Sequence, residues 1–243
     1  MTSLSFRLDG LRALVTGGGS GIGKVIADAM RDAGATVVVC DVNDSTKPNY
    51  ICDVSKTSDV EAMFKGIERD LGGLDILVNN AGAAWGAEFD EFPESGWDKT
   101  VDLNMKTPFF LTQALAPLLR AASSKDRLAK VINIASIDGV SINSMETYPY
   151  AASKAGLIHM TKRMALRLIK DNIGVTAIAP GAFASEMNKV ARDHGDAISA
   201  AIPAGRIGTP EDMAGAAIYL ASRAGDYVVG STVIVDGGVT YAR

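Results

Sequence analysis

The sequence predicts an α/β fold, a doubly wound parallel sheet of seven strands with helices on both faces. Two observations carry that reading. Short β-rich runs alternate with helix-patterned stretches from one end of the chain to the other. The runs are also almost continuously apolar, as strands buried on both faces must be, whereas a sheet with one wet face would alternate. No internal repeat, low-complexity tract or linker interrupts the pattern, so residues 1–243 are expected to form one domain.

In chain order, the strand candidates are RALVT (12–16), TVVVC (36–40), YIC (50–52), DILVNN (75–80), KVINIAS (130–136), GVTAIA (174–179) and TVIVD (232–236). Ile22, Val25, Ile26, Ala29 and Met30 repeat at helical spacing after the first strand, and Gly34 follows as a stop. Thr209-Pro210-Glu211-Asp212 reads as a helix start, with a cap, a proline and acidic first-turn residues. One crossover is too short for a helix. Between Asp41 and Tyr50 lie eight residues, VNDSTKPN, where parallel strands usually need about a dozen or more. A loop is expected there.

Composition narrows the function. A net charge of −4 and a pI near 5.2 leave no electrostatic footprint for nucleic acid or an anionic membrane. MTSLSFRLDG lacks the basic-then-apolar pattern of a secretory signal, and no apolar run reaches the length of a membrane span. Cys40 and Cys52 both fall in apolar strand-like runs, where buried, reduced thiols are expected. The expectation is a soluble, cytoplasmic protein.

LVTGGGSGIGK, residues 14–24, sits where the first strand gives way to the first helix. No register of it matches G-x-G-x-x-G, but glycines stand at 17, 21 and 23. Their arrangement still meets the physical need of a dinucleotide site. That need is a tight turn, close backbone approach to pyrophosphate, and free amides at a helix N-terminus. Asp41 ends the second strand 18 residues after Gly23, where a carboxylate can accept from the adenosine ribose hydroxyls.

ETYPYAASKAG, residues 146–156, offers two tyrosines and a lysine. Tyr150 and Lys154 are four apart and stack on one helical face, whereas Tyr148 is six from Lys154. Tyr148 also precedes Pro149, which disfavours the α region for it and suggests a helix starting at Pro149. A tyrosine with its ordinary pKa of about 10 is a poor base at neutral pH, and a nearby cation favours the phenolate. Tyr150 is therefore the candidate acid/base, and Tyr148 is expected to pack or to make a loop hydrogen bond.

With these residues placed, the chain resembles the short-chain dehydrogenase/reductase family over essentially its whole length. The resemblance rests on Thr16-Gly17-x-x-x-Gly21-x-Gly23, NNAG at 79–82, Ser136, Tyr150-x-x-x-Lys154 and Pro180-Gly181. It implies a Rossmann fold, a nicotinamide cofactor, a small-molecule carbonyl or alcohol substrate and a homotetramer. It implies catalytic roles for four residues. Tyr150 would exchange the proton, Ser136 would hold the substrate oxygen, and Lys154 would lower the tyrosine pKa and bind the nicotinamide ribose. Asn104 would anchor a relay water. Cofactor contacts are implied for Gly17, Ser20, Gly21, Ile22, Gly23, Asp41, Asp53, Val54, Asn80, Ala81, Gly82, Tyr150, Lys154, Pro180, Gly181 and Ser185. Pro108 lies four residues after Asn104 and cannot donate to its carbonyl, which would leave that oxygen for a water. Ser136 and Tyr150 are 14 residues apart, one more than is usual in the family, so the loop 137–149 should carry an extra residue. Ser185 stands where the family usually has threonine. All four tetrad residues are present, which argues against a non-catalytic nucleotide-binding sensor or scaffold.

Two stretches, NNAGAAWGAEFDEFPESGW and IAPGAFASEM, resemble the 3-oxoacyl reductases associated with rhamnolipid synthesis. A 3-oxoacyl thioester or related ketone is the first substrate expectation, and a polyol or sugar acid is the alternative. NAD(H) is expected over NADP(H), because a 2′-phosphate would meet Asp41, and neither Val42, Asn43 nor Ser20 offers a cation. Lys24 is expected to face solvent. Lys47, in the shortened crossover, is the cation that a return path could bring to the ribose. The segment 183–205 is expected to act as a lid, with Trp85, Phe183 and Met187 as pocket or core residues. His159 lies nine residues past Tyr150 on the opposite helical face and His194 sits in a polar stretch, so no Ser-His-Asp or metal set is expected, and the basic run Lys162, Arg163, Arg167 and Lys170 is expected to be a solvated or interface face.

Overall fold

The computed structural model describes residues 5–184, 193 and 195–242. Seven strands form one sheet: β1 (Arg12–Thr16), β2 (Thr36–Asp41), β3 (Tyr50–Ile51), β4 (Ile76–Asn79), β5 (Ala129–Ile134), β6 (Ile173–Pro180) and β7 (Thr232–Val235). Their order is β3-β2-β1-β4-β5-β6-β7, and every neighbouring pair is parallel. All seven coincide with the sequence-predicted runs to within a residue or two at each end.

The helices are α1 (Gly21–Asp32), α2 (Thr57–Leu71), α3 (Glu94–Val101), α4 (Thr107–Ala122), α5 (Tyr148–Leu168), α6 (Gly195–Ser199) and α7 (Pro210–Ala221). Strand pleating sorts the core into two layers, because successive side chains point to opposite faces. Leu14, Leu77, Val131 and Val175 meet Met63 and Ile67 of α2, Leu115 and Leu119 of α4, and Met164 of α5 on one face. Val15, Val39, Val78 and Ile132 meet Ile26 and Met30 of α1 and Met213 and Leu220 of α7 on the other. Fully burying one such side chain contributes about 1.5–3 kcal/mol, so these two seams dominate the stability. Cys40 and Cys52 are free thiols buried in the first layer.

Local signals hold where the sequence marked them. Thr209 and Asp212 form the reciprocal capping pair at the start of α7, and Arg206 grips the same carboxylate at 2.6 and 3.0 Å. The arginine keeps Asp212 ionised far below the usual carboxylate range. Beneath the sheet, buried Asp75 accepts from the Arg12 backbone at 3.0 Å and side chain at 2.7 Å, and from Arg127 at 3.2 Å. This ties the starts of β1 and β4 together.

Two local expectations change. The α5 helix begins at Tyr148 rather than Pro149, because Ala151 donates to the Thr147 carbonyl (3.0 Å) and closes the first turn one residue earlier. The short crossover is not a plain loop. Asn43 caps a single 3-10 turn, Asp44–Thr46, by accepting from Ser45 N–H, and Lys47 ends it in the left-handed region at φ 51°. That turn consumes enough chain to return to the sheet within eight residues.

Candidate active site

The sheet order reverses between β1 and β4, since β2 and β3 extend to one side and β5, β6 and β7 to the other. Segments leaving the carboxyl ends of β1 and β4 therefore diverge and open a crevice, where ligands bind in open α/β sheets. The glycine loop leaves β1 and the NNAG segment leaves β4, so both flank it.

Gly17 turns with φ 60° and donates to the Cys40 carbonyl at 2.8 Å. A Cβ there would stand 3.0 Å from the Ala81 backbone, and one on Gly23 would overlap the Gly17 carbonyl and the Asn80 amide. Thr16 Oγ1 accepts from the Asn80 and Ala81 N–H groups at 3.0 Å each, and Asn80 Nδ2 donates to the Thr16 and Gly17 carbonyls at 2.9 and 3.0 Å. Asn80 thus braces the glycine loop from behind. Ser20 leads into α1 at Gly21, and among the described residues no side chain caps the first amides of that helix. Uncapped amides at the positive end of a helix dipole, reached across a surface without Cβ atoms, fit the pyrophosphate of a dinucleotide. Gly21 and Ile22 also line a crevice with Phe183 and Pro210.

At the ribose end, Asp41 closes β2. One carboxylate oxygen accepts from Gly19 N–H and the other from Asn43 N–H, both at 3.0 Å. The 3-10 turn folds back so that Thr46 borders Gly19, where a Cβ would overlap its side chain. Thr46 and Asp41, rather than Lys47, meet the glycine loop, and Lys47 is exposed. Lys24 turns outward to Asp28 on the same helix. Asp53 accepts from the Ser55 N–H and hydroxyl at 3.1 and 2.6 Å, which holds its carboxyl below the ordinary range, and Val54 beside it is buried.

The chemical end assembles from β5 and α5. Ser136 follows β5, and its hydroxyl caps a 3-10 turn over Ile137–Gly139 by accepting from Asp138 N–H at 3.1 Å. The Ser136 hydroxyl acts on Tyr150 in the direction that lowers its pKa. Lys154 is 4% exposed, donates to the Ile134 carbonyl at 2.7 Å, and lies 5.6 Å from the Tyr150 ring centre. Pro180 and Gly181 end β6, and Gly181 donates to the Val235 carbonyl at 2.9 Å. Tyr148 points away, donating to Glu146 at 2.9 Å and packing edge-on against Phe89 and Phe92.

Asn104 lies in a π-helical turn, Asp102–Lys106, in which the Thr107 N–H reaches back to the Asp102 carbonyl. Pro108 donates nothing at the next position, consistent with the break. The buried Asn104 side chain clamps the NNAG exit: Oδ1 accepts from Ala83 N–H and Nδ2 donates to the Ala83 carbonyl, both at 2.8 Å. Nδ2 also donates to Ser153 Oγ at 3.2 Å, and Ser153 donates to the Tyr150 carbonyl at 2.8 Å.

Electrostatics correct one expectation. Tyr150 is not poised as a phenolate: burial pushes its pKa up to about 12, the Ser136 hydroxyl opposes that, and the Asp138 charge adds to it. Burial also pulls Lys154 down to about 8. With its ammonium turned to the Ile134 carbonyl, Lys154 does not offset the desolvation of the phenol.

Three contributors escaped the sequence reading. Thr16 stood in the glycine motif without an assigned role, Ser153 lies one turn from Tyr150, and Asp138 follows Ser136 by two. Only the last has no positional signal. It borders a cleft of about 550 Å³ shared with Ser141, Asn143, Ser144 and Thr240. Trp85 stacks over Gly96 and is partly exposed, Phe183 is buried, and His159 is exposed. Ser185, Met187 and His194 lie outside the described residues, as does part of the segment 183–205. Among the described residues no helix is long and apolar enough to cross a membrane.

A family model described as enoyl-(acyl carrier protein) reductase matches residues 17–240. The rhamnolipids biosynthesis 3-oxoacyl-[acyl-carrier-protein] reductase of Pseudomonas aeruginosa is 40% identical, with 96% of this chain and 97% of that one covered. The Pseudomonas aeruginosa RhlG/NADP active-site complex superposes with a TM-score of 0.92 at 38% identity, covering 97% and 98% of the two chains. A gluconate 5-dehydrogenase from Burkholderia cenocepacia, solved with NADP and tartrate, gives a TM-score of 0.89 at 35% identity over 98% of each chain. Fold, switch-point crevice and these likenesses converge: the chain belongs to the short-chain dehydrogenase/reductase family.

Proposed function

We propose that this oxidoreductase interconverts a carbonyl and an alcohol on a small-molecule substrate at the Ser136–Tyr150–Lys154 face of the crevice. The observation that carries the reading is buried Lys154 one helical turn from Tyr150, 5.6 Å from its ring centre and with Ser136 beside it, together with a glycine-lined helix start that Ser20 leaves uncapped. A nicotinamide dinucleotide held by the glycine loop, Asp41, Asp53, Val54, the NNAG segment, Lys154, the Pro180-Gly181 turn and Ser185 would supply or accept the hydride at the substrate carbon. In reduction, Ser136 holds the substrate oxygen and Tyr150 gives it the phenolic proton. In oxidation, Tyr150 must first lose that proton. Burial pushes its pKa up to about 12, so the phenol is protonated at neutral pH. Lys154, its ammonium on the Ile134 carbonyl, would hold the nicotinamide ribose, and Asn104 fixes the backbone of the NNAG exit.

For the substrate, likeness to the Pseudomonas reductase supports a 3-oxoacyl thioester or related ketone. A polyol or sugar acid is the second reading, supported by the gluconate dehydrogenase likeness. NAD(H) is the proposed cofactor, on the charge of Asp41 and the exposed, outward position of Lys47. The NADP complexes among the relatives weigh against it. The proposed assembly is a cytoplasmic homotetramer, supported by the exposed Phe109, Phe110 and Leu166 on α4 and α5.

The test is kcat/KM for ketones, acyl thioesters and polyols with each nicotinamide cofactor, in wild type and Tyr150→Phe. Tyr150→Phe should keep cofactor affinity and lose at least ~10²-fold in turnover. Undiminished turnover in Tyr150→Phe would overturn the mechanism, and a wild type that favours NADPH would overturn the cofactor assignment.

A further inference from the structure

Asp138 is an unusual group to find beside the reacting tyrosine. The Ser136 hydroxyl accepts its backbone N–H at 3.1 Å, so the residue is tied to the group that faces the substrate oxygen. The next residue, Gly139, is pressed onto α5, where a Cβ would stand 2.6 Å from the Lys154 carbonyl carbon. The 3-10 turn therefore cannot shift without moving α5 itself, and Asp138 is held in register with Tyr150. Asp138 lines the cleft of about 550 Å³, whose other walls are both polar (Ser141, Asn143 and Thr240) and apolar (Ile137, Ile142 and Val239).

The Asp138 carboxylate is under-served. Asn143 favours its ionised form, and among the described residues no lysine, arginine or histidine pairs with it. An ionised carboxylate has about four acceptor sites, which leaves capacity for a donor from a ligand. Burial raises its pKa, the mark of a charge that has lost water without gaining full compensation, and its field is felt at Tyr150. A group like this is stabilised by a ligand that brings a donor, and it penalises one that brings an apolar chain or a second negative charge.

We propose that Asp138 is a specificity-determining residue that accepts a hydrogen bond from a substrate hydroxyl flanking the reacting carbonyl, so that the site takes uncharged hydroxyketones and their polyols. The proposal rests on the carbonyl/alcohol reading above and moves its substrate class from the thioester to the polyol. A 3-oxoacyl thioester places a methylene and an acyl carbonyl beside the ketone and offers no donor there. A sugar acid with its carboxylate at that position would meet Asp138 as a like charge.

The experiment pairs hydroxyacetone with butanone, which has a methyl group in place of the hydroxyl, and adds an acetoacetyl thioester. Each is assayed with wild type, Asp138→Ala and Asp138→Asn. Wild type should favour hydroxyacetone, and Asp138→Ala should lose on the order of 10–100-fold in kcat/KM for it but no more than about threefold for butanone. Asp138→Asn should retain part of the preference. Calorimetry with propylene glycol and the reduced cofactor, a pair that cannot react, should show the same loss of binding in Asp138→Ala. Equal losses for hydroxyacetone and butanone would overturn the proposal and leave the reaction reading intact, because Asp138 would then be acting through Tyr150. Wild-type preference for the thioester, unaffected by Asp138→Ala, would also overturn it. A wild type that reduces none of the three overturns the reaction reading itself, and the proposal with it.

Discussion

Replacing Lys154 with methionine should separate stability from function at this site. The lysine is buried and its pKa falls from 10.5 to about 8 through desolvation, a cost of about 3 kcal/mol to the folded state at neutral pH. Methionine fills the same channel without a charge. It also leaves the Ile134 carbonyl without its donor at 2.7 Å, a loss of about 1–3 kcal/mol. The net effect at neutral pH is a cofactor-free protein of equal stability or about 2 kcal/mol more stable, with turnover lost. The pH dependence is the sharper signature. Because the folded-state pKa is depressed, the unfolded chain binds the proton more tightly, and the penalty is fully present below pH 8. It fades between pH 8 and 10.5, where only the unfolded chain stays protonated. Wild type should therefore gain about 3 kcal/mol on Lys154→Met as pH rises through that window. Chemical denaturation of both cofactor-free proteins across the range measures the difference directly, since other titrating groups cancel. A difference that stays flat with pH would refute the reasoning, as it would mean that Lys154 is solvated in the folded state.

Tyr148→Phe should leave turnover within about twofold of wild type, because among the described residues its hydroxyl serves only Glu146; a dead variant would contradict the placement of Tyr150. Gly23→Ala should abolish measurable cofactor binding by calorimetry while the sheet persists by circular dichroism, since its Cβ would overlap the Gly17 carbonyl that shapes the loop. Pro108→Ala would supply an amide at the π-helical break, and turnover should fall several-fold at unchanged cofactor affinity. Unchanged turnover would mean that the break is incidental. Asp75→Ala should cost about 3–5 kcal/mol in urea denaturation, because the partly buried Arg12 loses its carboxylate.

Much of this molecule was legible because its signals are local. Strand runs such as TVVVC are apolar throughout, and Thr209-Pro210-Glu211-Asp212 carries its own start. The stacking of Tyr150 on Lys154 follows from helix geometry alone. The path of the 42–49 crossover was not legible, because a 3-10 turn of three residues leaves no periodicity to read, and its outcome depends on Thr46 packing against Gly19. Ionisation was missed for a related reason. The spacing of Tyr150 and Lys154 places a cation near a phenol, but it does not show that burial desolvates both, nor that the ammonium turns to the Ile134 carbonyl.

The sequence by itself determined the order of strands and helices, the glycine loop and the helical pairing of Tyr150 with Lys154, since each depends on residues within a few positions of one another. Tertiary structure alone decided that Asn80 braces Gly17, that Asn104 reaches Ala83 and Ser153, and that Asp138 shares a cleft with Thr240. Those contacts join segments that only the packed sheet brings together. Their energies depend on how much water that packing removes, which no local pattern records.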